Sequence, residues 1–253
     1  MTNTEEIHQP ILDTLDSAAE YRRIENAVGG GKGPAAVFGL PAGHRAHLAA
    51  ALGRARTVLL VAGTDTAAAR LYADVAAFGV PASLLLPRET PLTYVRAVSG
   101  EREAQRIEAL SVLALGERTV AVASAAALMQ AVAPKEAFLA ETARLKVGGA
   151  IDPRALMTRL VRAGYERVEL VEGRGQAAAR GDLLDVYPVH ARYPVRIEFF
   201  GDEIDQMRLF DPVTQRAVEQ VSACTLPPAY ETPQSPEGMQ RVLQRIDGRA
   251  GGP

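Results

Sequence analysis

A chain of 253 residues has room for two modest domains, and its 28 Lys and Arg against 30 Asp and Glu leave a formal charge of −2, too little to neutralise many phosphates; strong autonomous DNA binding is disfavoured. The single cysteine, Cys224, excludes an intramolecular disulfide and a cysteine-rich metal site and fits a reducing compartment, its plain reading being a strand residue that packs as a small hydrophobe. No apolar run reaches the roughly 20 residues that span a bilayer, and residues 1–10 are polar and acidic rather than a signal segment, so the expected location is the cytoplasm, with no membrane partner.

In chain order, Ile11, Leu12, Leu15, Ala18, Ala19 and Ile24 recur at helical spacing and predict a leading helix over 7–28. Gly29-Gly30-Gly31-Lys32-Gly33-Pro34 then ends any regular element, so residues 1–33 read as a helix and a flexible joint. Short apolar runs at 35–40, 57–62, 82–86 and 119–123 predict buried strands, and 45–52, 65–78 and 100–115 predict helices between them. That alternation implies an α/β domain over 34–145, built on a parallel sheet with right-handed crossovers.

The pattern changes after Lys146. Asp152-Pro153 supplies an N-cap and a first-turn proline for a helix that runs to Ala163 and stops at Gly164. Strands are predicted over 166–171, 183–187, 195–200, 204–210 and 218–226, separated by Gly-Arg-Gly, Pro-Val-His and Gly-Asp turns. Residues 146–230 therefore read as a small α+β domain of antiparallel hairpins. The remainder, 231–253, is rich in Pro, Gly and charge, with one weak helical stretch at 238–246.

The nearest approach to a nucleotide site is Gly39-Leu40-Pro41-Ala42-Gly43-His44-Arg45-Ala46, which follows a predicted strand and opens a predicted helix. A phosphate-binding loop needs a second glycine, a lysine and a hydroxyl, the last to hold Mg²⁺. Counted from Gly39, the chain offers His44, Arg45 and Ala46 at those places, so the loop, Gly39 and Gly43 included, is degenerate and no cofactor is expected. Asp202-Glu203-Ile204-Asp205 imitates the acidic box of helicases, but it follows Gly201 at once and reads as a β-turn. Of His8, His44, His47 and His190, only His44 and His47 are spaced as neighbours on a helix; no carboxylate or cysteine joins them at ligand spacing, and they read as surface histidines. No serine sits in G-x-S-x-G, so no catalytic residue is expected.

Strand alternation over 195–200 puts Arg196, Glu198 and Phe200 on one face and Val195, Ile197 and Phe199 on the other. The second set is core. The first combines an arginine with an aromatic, the residue types that anchor protein interfaces, although a solvated face capped by Phe200 fits the same residues equally well.

Arg180-Gly181-Asp182-Leu183-Leu184-Asp185-Val186-Tyr187-Pro188, together with the run from Pro194 to Arg216, closely resembles the UvrA-interaction domain shared by UvrB and the transcription-repair coupling factors. The resemblance extends back through Leu145-Lys146-Val147-Gly148, Arg159-Leu160-Val161 and Gly164-Tyr165, and more loosely over 37–134. In UvrB an intact phosphate loop and a tyrosine-rich hairpin would be expected. The loop here is degenerate and 86–100 holds one aromatic, Tyr94, which favours the coupling factors, whose amino-terminal module has lost nucleotide and damage recognition. What the resemblance implies is a non-catalytic adaptor for UvrA, with Arg180, Arg196 and Phe200 at the positions that contact it. It further implies a longer protein that also binds RNA polymerase and double-stranded DNA and is an ATP-driven translocase. A UvrB-like nucleotide-dependent repair enzyme and a stand-alone competitor for UvrA are the alternatives.

Overall fold

In the computed structural model the described residues are 11–15, 17–30, 34, 36–88 and 100–231, and the chain divides into two compact units, Met1–Ala131 and Val132–Pro253. The division falls ahead of the change expected at 146. The strand Ala143–Lys146 lies in the second unit because it pairs there with Ala223–Leu226. No helix among the described residues is long and apolar enough to cross a membrane.

The first unit contains α1 (Ala19–Gly29), α2 (Ala42–Gly53), β1 (Val58–Ala62), α3 (Asp65–Ala76), β2 (Ala82–Leu85), α4 (Gly100–Leu115), β3 (Val120–Ser124) and the short α5 (Ala125–Leu128). Three strands form a parallel sheet in the order β1-β3-β2, as strand–helix alternation requires. On one face Val120, Val122 and Leu84 pack with Ala46, Ala49 and Ala50 of α2 and with Ala68 and Val75 of α3. On the other, Leu85 and Ala123 meet Ala109 of α4 and Ala127 of α5. Thr64 caps α3, accepting the Ala67 N–H at 3.2 Å.

Two expectations for this unit fail. Residues 36–40 form no strand, and Phe38 is 90% exposed. The apolar run is bracketed by Pro34 and Pro41, which lack N–H donors, and Gly39 turns the chain at φ +74°. The leading helix is also not continuous: residues 11–15 are helical, a turn at Ser17 and Ala18 intervenes, and α1 begins at Ala19. Short polar side chains compete for backbone there, the Thr14 and Ser17 hydroxyls donating to the Ile11 and Thr14 carbonyls at 2.6 and 2.9 Å.

The second unit contains α6 (Lys135–Glu141), β4 (Ala143–Lys146), α7 (Pro153–Arg162), β5 (Glu166–Arg167), β6 (Gln176–Arg180), β7 (Leu183–Val186), β8 (Val195–Phe200), β9 (Glu203–Phe210), β10 (Ala217–Gln220) and β11 (Ala223–Leu226). Six strands form one sheet in the order β10-β9-β8-β7-β6-β5, antiparallel except at β5–β6, and β4 pairs with β11 separately. Helix α7 starts as its sequence predicts: the Asp152 carboxylate accepts the Arg154 N–H at 2.8 Å and Pro153 occupies the first turn. Its buried stripe of Leu156, Met157 and Leu160 forms a core with Leu184, Ile197, Ile204 and Met207.

Here too the strands differ from expectation. Residues 166–171 supply only the two-residue β5, and 218–226 divides into β10 and β11, which join different sheets. Strand β6, Gln-Ala-Ala-Ala-Arg, carries no strand signal of its own and is made by neighbours on both sides. The predicted helical stretch 238–246 and Tyr94 lie outside the described residues.

Past β11, the chain is fastened to the end of α7. The Tyr165 hydroxyl donates to the Pro227 carbonyl at 2.8 Å, and burial pushes its pKa far up, so the phenol stays a donor. Removing that hydroxyl strands a buried carbonyl, and Tyr165→Phe is expected to cost about 1–2 kcal/mol in urea unfolding. Beside it Gly164 sits at φ +97°, where an added Cβ would come within 2.5 Å of the Tyr230 ring; only glycine fits.

Candidate partner-binding face

Two Gly-Asp turns set one end of the six-stranded sheet. Gly181 (φ +56°) and Gly201 (φ +62°) take backbone conformations that side chains resist, so Gly181-Asp182 closes β6–β7 and Gly201-Asp202 closes β8–β9. Both turns lie at the same end, since β6 and β8 are each antiparallel to β7. The first turn is tied to β8 by the Phe199 N–H, which donates to the Asp182 carbonyl at 2.9 Å. Arg180 and Phe200, the last residues before the two turns, therefore share that end.

Register shows which side chains share a face. Ala178, Asp185, Arg196 and Arg208 stand opposite one another across β6 to β9, and Arg180, Leu183, Glu198 and Gln206 form the next row. The opposite face carries Leu184, Val195, Ile197 and Phe199 into the core with α7. The outer face thus holds all three candidate positions. Phe200 stands in solvent at 84% exposure, and Arg180 is exposed, its Nε donating to the Glu169 carbonyl at 3.1 Å.

Arg196 is held differently from the other two. Its Nε and Nη2 donate to the two oxygens of Asp185 at 2.7 and 2.8 Å, Nη2 also donates to Gln215 Oε1 at 3.1 Å, and its guanidinium lies over the Phe210 ring, 4.6 Å from the centroid. The hydrogen bonds to Asp185 hold its pKa above the ordinary arginine value against the opposing effect of burial. The Arg196 side chain is 20% exposed and that of Asp185 6%. One edge of the fork is thus spent within the fold, and among the described residues Nη1 makes no hydrogen bond. Arg208 and Glu198 form an ion pair beside it. Beneath, Val171, Ala178, Tyr187 and Phe210 make a small second core.

Asp185, Gln215 and Phe210 belong to this site in the structure without being among the residues that sequence predicts for it. Asp185 carries the one available signal, a lone carboxylate inside the apolar run Leu183-Leu184-Asp185-Val186, which needs a partner if buried.

Elsewhere, Gly43, His44, Arg45 and Ala46 lie within the first two turns of α2 rather than in a loop, and Ala46 is buried in the core. The strand that should precede a phosphate loop is the one that does not form. His47 stacks on Phe78 at 5.0 Å and its Nε2 lies 2.9 Å from the Ile11 carbonyl, so it packs within its unit rather than standing at the surface. Among the described residues no group of three or more His, Cys, Asp or Glu side chains could hold a metal ion. Asp202 lies in the β8–β9 turn, and Glu203 and Asp205 are exposed on β9. Cys224 pairs across from Leu145 with its Sγ 3.7 Å from Met207 Sδ, and burial pushes its thiol up to about 12. A thiol held that far above its ordinary value leaves much less thiolate at pH 8 than a free cysteine has. Disulfide-reagent labelling is expected to be slow until the second unit is unfolded.

A domain of this kind is known. Residues 143–231, within the second unit, match the family model described as the UvrB interaction domain. Over much of its length the chain is similar to transcription-repair-coupling factors. It is 39% identical to that of Myxococcus xanthus over 228 residues, covering 83% of this chain and 19% of the relative. With the Bacillus subtilis factor it shares 35% over 165 residues, 65% of this chain and 14% of the relative. It is also 28% identical over 206 residues to UvrABC system protein B of Thermosipho africanus, covering 76% and 31%. The chain therefore spans less than a fifth of the coupling factors named and under a third of that UvrB. Its relatives are DNA-repair proteins.

Proposed function

We propose that this chain is a non-catalytic adaptor that presents the outer face of its six-stranded sheet to UvrA, as the amino-terminal module of a transcription-repair coupling factor recruiting UvrA to stalled RNA polymerase. The observation that carries the reading is the shared face: Arg180, Arg196 and Phe200 come from two hairpins inside the UvrB interaction domain, and the same register orients all three outward. Two cations beside an exposed aromatic suit a partner surface that offers carboxylates around an apolar pocket. In a longer coupling factor, DNA binding and ATP-driven translocation belong to other parts of the chain.

Absence of catalysis in this module is supported by the start of α2. The place where a magnesium-binding hydroxyl would be needed is Ala46, with its methyl in the core, and the helix opens at Pro41 with no strand before it. Equilibrium binding of labelled ATP is accordingly expected to show no magnesium-dependent component. The adaptor reading itself is tested by titrating purified UvrA with the chain in nucleotide-free buffer. A saturable complex is expected, and no complex at micromolar concentrations of both would refute it.

A further inference from the structure

We propose that the β9–β10 turn, residues 211–216, is a second, preformed contact of the same partner-binding face, with Val213 as its apolar anchor and Gln215 as the latch holding it to Arg196. This rests on the reading that the outer face binds UvrA and adds a contact beyond Arg180, Arg196 and Phe200.

Val213 is 89% exposed. A valine alone in solvent needs no explanation when its loop is free, but this loop is held by a set of hydrogen bonds. The Asp211 carboxylate accepts the Thr214 N–H at 2.7 Å, the Val213 N–H at 3.0 Å and the Thr214 hydroxyl at 3.1 Å, and these bonds, the Thr214 N–H foremost, hold its carboxyl below the usual range. The Gln215 N–H donates to the Asp211 carbonyl at 2.8 Å and the Asp211 N–H to the Arg216 carbonyl at 2.9 Å.

Gln215 is the one non-glycine residue among those described with a left-handed backbone, at φ 59°. Such a conformation persists where its surroundings hold it. Both ends of its amide are engaged: Nε2 donates to the Pro212 carbonyl at 2.8 Å, and Oε1 accepts from Arg196 Nη2 at 3.1 Å. The residue that locks the turn therefore also locks the candidate arginine. An apolar tip held this way loses little freedom on binding, so its burial would go largely into affinity.

The turn lies at the far end of the face from Phe200. The Phe210 N–H donates to the Pro194 carbonyl at 3.1 Å, just before β8, and Phe200 closes that strand. At about 3.3 Å per residue β8 separates them by on the order of 17 Å, well within one side of a standard interface of roughly 800 Å². Arg196 lies between, and Arg180 shares the end that carries Phe200. The occupant this pattern fits is a protein surface with carboxylates flanked by two apolar pockets, and continuity through Gln215 and Arg196 commits it to the partner already proposed.

The test is titration of purified UvrA with the 253-residue chain and its variants. Val213→Asp is expected to weaken binding at least tenfold with an unchanged melting temperature. Gln215→Gly, which permits the left-handed backbone and removes the side-chain hydrogen bonds to Arg196, Pro212 and Val171, is expected to weaken it several-fold. If Phe200→Ala weakens the complex tenfold while Val213→Asp leaves it within twofold, the turn is not a contact and this inference is overturned, with the adaptor reading intact. If neither variant changes the affinity, both are overturned.

Discussion

Phe200→Ala is expected to leave the second unit as stable as the parent, within about 0.5 kcal/mol, while weakening the complex with UvrA by about 2 kcal/mol or more, roughly thirtyfold. The asymmetry follows from position. At 84% exposure the ring contributes almost nothing to its own core, and the Gly201 turn that follows it does not depend on the ring. An aromatic buried only in a complex gains its whole transfer energy there. Calorimetric titration beside a urea melt of the same preparation separates the two quantities. A variant that binds as the parent does removes Phe200 from the interface.

Arg196→Ala is expected to cost on both counts, and the two must be separated. Truncating it leaves the Asp185 carboxylate, 6% exposed, without its bidentate partner, and about 3 kcal/mol of stability should be lost, the lower end for a buried pair because the arginine keeps some solvent. Weakened binding by this variant alone would thus not identify a contact. Replacing both residues by valine, Asp185→Val with Arg196→Val, removes the stranded charge and puts strand-favouring side chains opposite one another in β7 and β8. That double variant should recover most of the stability and still bind UvrA about tenfold or more weakly. Parent-like affinity in a double variant that melts as the parent does would make Arg196 a purely structural residue.

Much of the outer face was legible before any coordinates. Alternation in Val-Arg-Ile-Glu-Phe-Phe separates core from surface because neighbouring side chains on a strand must point opposite ways, and β8 follows that division at each position. The Gly-Asp pairs mark the hairpins because their backbone is sterically closed to most residues. Asp152-Pro153 and Gly164 bound α7 for equally local reasons. Where only apolar content was available, as at 35–40, the reading failed, since a run of hydrophobic residues becomes a strand only if another strand accepts its hydrogen bonds.

The sequence by itself determined a parallel α/β unit followed by antiparallel hairpins, the inward and outward residues of β8, and a start to α2 without the groups that bind magnesium phosphate. Only the tertiary structure decided that Asp185 meets Arg196, that Gln215 reaches the same guanidinium, and that β11 leaves the strand before it to pair with β4. Turn and periodicity signals act within a few residues, where sterics and alternation leave one outcome. Pairings between residues 11, 19 and up to about 80 positions apart depend on register, which is fixed when whole strands bury their apolar faces together.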